Sequence, residues 1–214
     1  MLTQATKTIR VFIADDHSVV REGLARILSA VAGLGCAGQA ADVQGLLSDP
    51  SLDQTDVVVL DVSLPGGGGA EALRCLRRDR PDLPVLIHSM YPEEQYGARF
   101  IRAGAAGYLS KDRSTAELLD AIRRVHQGRR YLTELVADAL AVGAASGEPH
   151  ELLSARELQV LQLHAEGRQT NDIARELFIS ASTVSTHFRN IKEKLNLQTT
   201  AELVPYAFRH KLVV

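Results

Sequence analysis

Apolar residues in the first 125 positions follow two rhythms. Short runs without alternation read Ile-Arg-Val-Phe-Ile-Ala at 9–14, Val-Val-Val-Leu at 57–60 and Val-Leu-Ile at 85–87. A weaker run spans Cys36 to Ala41, and a short one is Gly107-Tyr108-Leu109. Continuous, β-branched runs of this length predict strands buried on both faces of a parallel sheet. Between them the apolar spacing is three and four: Val19-Val20, Leu24, Ile27-Leu28 and Val31, then Leu73 and Leu76, then Phe100-Ile101, then Leu118-Leu119, Ile122 and Val125. That spacing predicts helices. Strand and helix alternate five times, which predicts a doubly wound α/β domain with helices on both sheet faces.

The rhythm changes after Gly128. Tyr131 to Val142 reads as helical, and Gly143-Ala-Ala-Ser-Gly-Glu-Pro-His150 is rich in breakers and reads as a connector. From Glu151 onward no strand pattern occurs. Four helical stretches follow, with start signals at Ser154-Ala-Arg-Glu157, Thr170 or Asn171, Ser180 or Ser182, and Thr199-Thr-Ala-Glu202. The expected fold class is an α/β doubly wound, parallel five-stranded domain (flavodoxin-like) over residues 8–128. A linker over 129–150 and an all-α four-helix domain over 151–214 complete it.

Composition fits this picture without choosing a function. The 214 residues suffice for two small domains. With 45% hydrophobic and 23% charged residues, a mainly disordered chain is excluded. Net charge is −2, so the chain is not uniformly basic. Two cysteines, Cys36 and Cys75, cannot build a disulfide framework. No apolar run approaches the ~20 residues of a membrane span, and Met1 to Arg10 lacks a secretory pattern. The expectation is a cytoplasmic protein with no membrane association.

Candidate chemistry gathers at strand ends. Asp15, Asp16 and Asp61 follow two predicted parallel strands, Ser89 a third and Lys111 a fourth. Ligands of open α/β sheets bind outside the carboxyl ends of the strands. Three close carboxylates repel one another, and a hard cation such as Mg²⁺ relieves that repulsion. An ammonium and a hydroxyl at the same edge suit a phosphoryl group, with one carboxylate as nucleophile. Singly, each Asp is equally at home as a turn residue or helix cap.

Together these residues carry a resemblance. The pieces are Ile-Ala-Asp15-Asp16-His17, Val-Leu-Asp61-Val-Ser-Leu-Pro65, Ser89 and Gly104-Ala-Ala-Gly-Tyr108-Leu-Ser-Lys111. Residues 9–125 resemble the receiver domain of two-component response regulators. The resemblance implies that Asp61 accepts a phosphoryl group from a sensor histidine kinase. It implies that Asp16 and Asp61 bind Mg²⁺ directly with the Ser63 backbone carbonyl, Asp15 acting through water. It also implies that Ser89 and Lys111 contact the phosphoryl oxygens, and that Tyr108 turns inward with Ser89. Two departures are Leu64, where the family usually has Met, and the run Gly66 to Gly69, expected to form a mobile loop.

In the second half, Thr170 to Lys192 reads as two short helices around a tight turn, with Ala174 at their crossing. The second of these helices exposes Ser185, Thr186, Arg189, Asn190 and Lys192, a set able to enter a major groove and hold phosphates. A helical bundle with a solvated polar face has the same pattern. Leu153-Ser-Ala-Arg-Glu157, Glu166-Gly167, Asp172-Ile-Ala174, Ile179-Ser180, Thr183-Val184, His187 and Lys194-Leu195 make residues 152–212 resemble the LuxR-type helix-turn-helix of NarL/FixJ-type regulators. The implied DNA-contacting set is Ser182, Thr183, Ser185, Thr186, Arg189, Asn190, Lys192 and Lys194. Ser185 stands where the family usually has Lys, and Pro205 predicts a kink or late start in the last helix.

The expected function is a phosphorylation-controlled, sequence-specific DNA-binding regulator rather than an enzyme, dimeric on promoter half-sites when active. Two other readings remain open at this point: an Mg²⁺-dependent phosphatase, and an interaction adaptor that binds no DNA. Residues 1–150 carry 16 basic and 19 acidic side chains, and residues 151–214 carry 8 and 7. The second domain is thus barely basic, which predicts weak monomer binding that relies on dimerisation.

Overall fold

In the computed structural model, which describes residues 8–143, 150, 153–210 and 212–213, five strands form one parallel sheet. They are β1 (Ile9–Ala14), β2 (Leu34–Ala40), β3 (Val57–Leu60), β4 (Val85–Ser89) and β5 (Gly107–Ser110), in the order β2-β1-β3-β4-β5. The order reverses between β1 and β3, which opens a crevice at their carboxyl ends. The expected doubly wound α/β class is what the chain adopts.

Alternate strand residues point to opposite faces. Val11, Ile13, Val57, Val59, Leu86 and Leu109 share one core with Leu28 of α1 (Ser18–Ala30) and Leu118, Ile122 and Val125 of α5 (Thr115–His126). Phe12, Val58, Leu60, Ile87 and Tyr108 are equally buried. On that face Tyr108 packs against Phe100 of α4 (Glu93–Arg102), ring centroids 5.9 Å apart. Burial on both faces explains the unbroken apolar runs.

Helix α2 (Val43–Ser48) escapes the periodic pattern because it is only six residues long. Its start is set by Asp42, which accepts from Gly45 N at 2.7 Å. Asp49 then caps a 3-10 turn over Pro50–Gln54. The glycine run follows β3 and enters the first turn of α3 (Gly68–Asp79). Gly66, Gly67 and Gly68 have φ of 88°, 121° and 80°, left-handed values that other residues rarely adopt. A Cβ on Gly69 would lie 2.4 Å from the Asp61 carbonyl oxygen. The run is therefore a geometric requirement of the turn beside Asp61.

The expected linker over 129–150 needs correction. Tyr131 bridges in parallel to Gly107, its N–H reaching Ala106 O at 2.9 Å. Helix α6 (Glu134–Gly143) packs on α4, with Val136 fully buried. Residues 131–143 therefore belong to the packing of the first unit, because their apolar positions find a partner on α4. The breaker-rich residues 144–149 lie outside the described residues, as does the expected start of the second domain at Glu151.

The second unit contains α7 (Ala155–Ala165), α8 (Thr170–Glu176), α9 (Ala181–Leu195) and α10 (Leu203–Arg209). Ser154 and Glu157 form the expected capping box on α7. Gln169 precedes α8 without a side-chain cap, and Ser180 caps α9 through Thr183 N. Val160, Leu161, Ile173, Val184, Ile191, Leu203 and Ala207 form its buried interior. The last helix starts late. A 3-10 turn over Thr200–Glu202 precedes it, so Pro205 falls in the first turn of α10, where no helical donor is lost. Phe178, in the turn between α8 and α9, has φ of 53° and is 96% exposed. Among the described residues no helix is long and apolar enough to cross a membrane.

Two glycines give opposite outcomes in urea unfolding. Gly69→Ala is expected to lower stability by about 1–3 kcal/mol, since its clash is with backbone. Gly23→Ala, within α1 and with nothing inside 4 Å of its Cβ, is expected to add up to ~1 kcal/mol.

Candidate functional site

Strand register builds the first site. Ala14 of β1 pairs with Leu60 of β3, so the next residues, Asp15 and Asp61, emerge side by side. Leu60 pairs with Ile87 of β4, and Ser89 pairs with Ser110 of β5. Lys111 follows directly, its N–H bonded to Ser89 O at 2.8 Å. Residues from four strand ends are thereby delivered to one edge.

There the Lys111 Nζ lies 2.5 Å from Asp15 Oδ2 and 3.4 Å from Asp61 Oδ2, and both carboxylates are 3% exposed. Burial pushes the Asp61 carboxyl above the ordinary range, and neighbouring Asp15 pushes it further. Lys111 and the Val62 N–H, which donates to Asp61 Oδ1 at 2.8 Å, act against that rise. Asp16 is more open. Its Oδ1 lies 2.7 Å from His17 Nδ1. Ligand atoms of Asp15, Asp16, His17 and Asp61 all fall within 4.8 Å of one another. Three carboxylates in that space form a hard oxygen donor set suited to a divalent cation. His17 is a member that sequence reasoning left aside; its position directly after two aspartates was the available signal.

Ser89 and Tyr108 are both fully enclosed. The Tyr91 N–H reaches Ser89 Oγ at 3.4 Å, and the Tyr108 hydroxyl donates to Tyr91 O at 3.0 Å. Tyr108 is buried in this structure, and burial holds its phenol well above the ordinary range. Ser63 donates through Oγ to the Tyr91 hydroxyl at 3.2 Å. His88, beside Ser89, is 7% exposed, and its Nδ1 has no hydrogen-bond partner among the described residues. Burial, seconded by Lys111, lowers its pKa to about 4.

The second site is the outer face of α9. Ser182, Thr183, Ser185, Thr186 and Arg189 are exposed, and Asn190 and Lys192 are half-buried. Ser180 Oγ lies 2.7 Å from Ser182 Oγ and 2.8 Å from Thr183 Oγ1, a hydroxyl cluster at the helix start. Ser185 and Thr186 return their hydroxyls to Ala181 O and Ser182 O, at 3.0 and 3.1 Å. A groove beside this face is lined by Gln169, Thr170, Ser185, Arg189, Lys192 and Thr200. Gln169 and Thr170 stand at the start of the first helix-turn-helix helix, and Thr200 lies in the turn before α10; the sequence reading placed none of the three on this face.

Lys194 does not join them. Its Nζ lies 2.6 Å from Oε2 of Glu157, a carboxylate 5% exposed. Burial raises the Glu157 pKa, but Lys194 and the Ser154 cap outweigh it and hold it below the ordinary range. This ammonium ties α9 to α7, while its side chain remains 37% exposed.

Residues 11–123 match the response regulator receiver domain, and residues 151–207 match the bacterial regulatory proteins of the luxR family. The chain is 37% identical over 209 residues to the response regulator GacA of Pseudomonas viridiflava, covering 96% of this chain and 98% of that one. It is 35% identical over 208 residues to the response regulator UvrY of Escherichia coli strain K12, covering 95% of each. Among solved structures, the response regulator ChrA of a heme-sensing two-component system matches with a TM-score of 0.52 and 34% identity, over 96% of this chain and 99% of that one. RcsB of Salmonella enterica serovar Typhimurium, bound to promoter rprA in the presence of the phosphomimetic BeF3-, matches with a TM-score of 0.60 and 26% identity, over 94% and 98%.

His88 makes stability pH-dependent in a defined window. The unfolded chain binds its proton near the ordinary histidine value of 6.5, the folded chain only at about 4, so the unfolded state holds more protons between them. Its contribution is complete above 6.5 and is lost as pH falls toward 4. Urea midpoints from pH 7 to 4.5 are expected to fall less steeply in His88→Asn than in the wild type.

Proposed function

The chain belongs to the two-component response regulators of the NarL/FixJ type, DNA-binding transcription regulators with a receiver and a LuxR-type domain, and on that premise we propose that Asp61 is its phosphoacceptor. The observation that carries this is the contact of one ammonium, Lys111, with both Asp15 and Asp61 at the carboxyl edge of the sheet. In this reading an Asp61 oxygen bonds to the phosphorus of a phosphohistidine on a sensor kinase as the nitrogen–phosphorus bond breaks. Lys111 meets the charge of the transferred group, and the Ser89 hydroxyl donates to one of its oxygens. Asp16 and Asp61, with Asp15 through water and the Ser63 carbonyl, would hold Mg²⁺, which when bound neutralises charge on the transferring group. The phosphoryl group is stored as an acyl phosphate rather than turned over as in an enzyme.

The output is assigned to the α9 face, with Ser182, Thr183, Ser185, Thr186, Arg189, Asn190 and Lys192 as its DNA contacts and Gln169, Thr170 and Thr200 along the phosphate groove. RcsB, solved bound to a promoter and as two dimers bound to two parallel DNAs, supports double-stranded DNA as partner and a dimer as the active form. The functional boundaries are 8–128 for the receiver, extended by the packed α6, and 151–214 for DNA binding. A cytoplasmic location follows from the DNA target.

The test measures binding to promoter DNA selected by the wild type, for wild type and Asp61→Ala, with and without phosphoramidate. Only phosphorylated wild type is expected to bind at least tenfold tighter; equal affinity in all four conditions would overturn the switch. In salt titrations, Arg189→Ala and Lys192→Ala are each expected to reduce the slope by about one. Lys194→Met is expected to leave the slope unchanged, because its charge is already matched by Glu157.

A further inference from the structure

Glu93 opens α4, four residues beyond Ser89 and two beyond Tyr91. Its carboxylate is 3% exposed, yet it belongs to none of the sites above. It accepts from Thr133 Oγ1 at 2.6 Å, from Ser110 N at 3.0 Å and from Arg113 Nη2 at 3.1 Å. These donors come from the segment before α6, from the end of β5, and from the loop before α5. One buried carboxylate therefore joins four parts of the receiver, and a buried charge so satisfied is costly to disturb.

The Thr133 side is built to hold α6. Thr133 Oγ1 accepts from Val136 N at 3.4 Å, and its carbonyl accepts from Ala137 N at 2.9 Å. Val136 sits in a notch over Gly97 of α4, where an added Cβ would lie 2.4 Å from its methyl carbon. So close a crossing leaves little room for graded sliding; packed contacts of this kind shift between discrete arrangements.

The other side reaches the phosphoacceptor edge. The backbone of Tyr91 rests on Ser89 Oγ through its N–H and on the Tyr108 hydroxyl through its carbonyl. If Ser89 turns its hydroxyl to a phosphoryl group on Asp61, Tyr91 loses the support of that oxygen, and the two residues leading to Glu93 move with it.

We propose that Glu93 is a positioning residue that couples the Ser89–Tyr91 segment to helix α6, so that loading Asp61 breaks the Thr133 contact and releases residues 131–143 from α4. This rests on Asp61 being the phosphoacceptor. The chain segment that runs toward the DNA-binding unit is thereby a reporter of the pocket.

Hydrogen exchange of the full-length protein tests it, with and without phosphoramidate and Mg²⁺, while intact mass records the phosphoryl adduct and Asp61→Asn serves as the blank. In wild type, exchange over 134–143 is expected to rise at least tenfold on loading. Thr133→Val is expected to exchange at that raised rate without phosphoramidate and to gain nothing further on loading, although Asp61 loads normally. Thr133→Ser, which keeps the hydroxyl, is expected to behave as wild type. Unchanged α6 protection in loaded wild type, or wild-type protection in unloaded Thr133→Val, overturns the coupling alone. Absence of the adduct in wild type overturns the phosphoacceptor reading, and the coupling with it.

Discussion

A single ammonium between two buried carboxylates organises the receiver. Lys111 reaches Asp15 and Asp61 only because β1, β3, β4 and β5 keep one parallel register over their last residues. Three carboxyl groups at one edge would otherwise repel. The arrangement is not a stabilising one for Asp61, whose carboxyl is held above its ordinary range mainly by burial. A group that binds its proton more tightly folded than unfolded makes the folded state less stable at neutral pH. That cost is borne where Asp15, Asp16 and Asp61 crowd at one strand edge.

Much of this was legible in the residues. Strands buried on both faces write themselves as unbroken apolar runs, so β1, β3, β4 and β5 were readable and their terminal Asp, Ser and Lys residues followed. Helix α2 was not, because six residues carry too little periodicity and its start rests on the Asp42 cap. The pairing of Glu93 with Thr133 spans 40 positions, and no local pattern announces which distant donor a buried carboxylate will find. Lys194 illustrates the same limit from the other side. On a recognition helix a lysine reads as a phosphate contact, yet Glu157, 37 positions earlier, holds it in an ion pair within its own unit.

The DNA-binding unit spends its few charges locally. Arg189 and Lys192 line the groove beside α9, while Lys194 is neutralised by Glu157. Ser185, which returns its hydroxyl to Ala181, adds no charge. A near-neutral unit with a short cationic strip fits an interface whose strength comes from two copies on paired half-sites. Phe178 adds strain in the same unit: a left-handed backbone in a bulky residue costs of order 1–2 kcal/mol, and its exposed ring returns no packing.

The strand-end site has one more implication, for the time before the protein is finished. Asp15 and Lys111 are separated by nearly the length of the sheet domain in sequence, and they meet only when β5 has joined β4 beside β3 and β1. A chain still emerging from synthesis, or one with its last strand detached, has the aspartates but not the ammonium. Under the proposed role of Asp61, such a chain lacks the ammonium that meets the charge of the transferred group, so the modification would favour completed molecules.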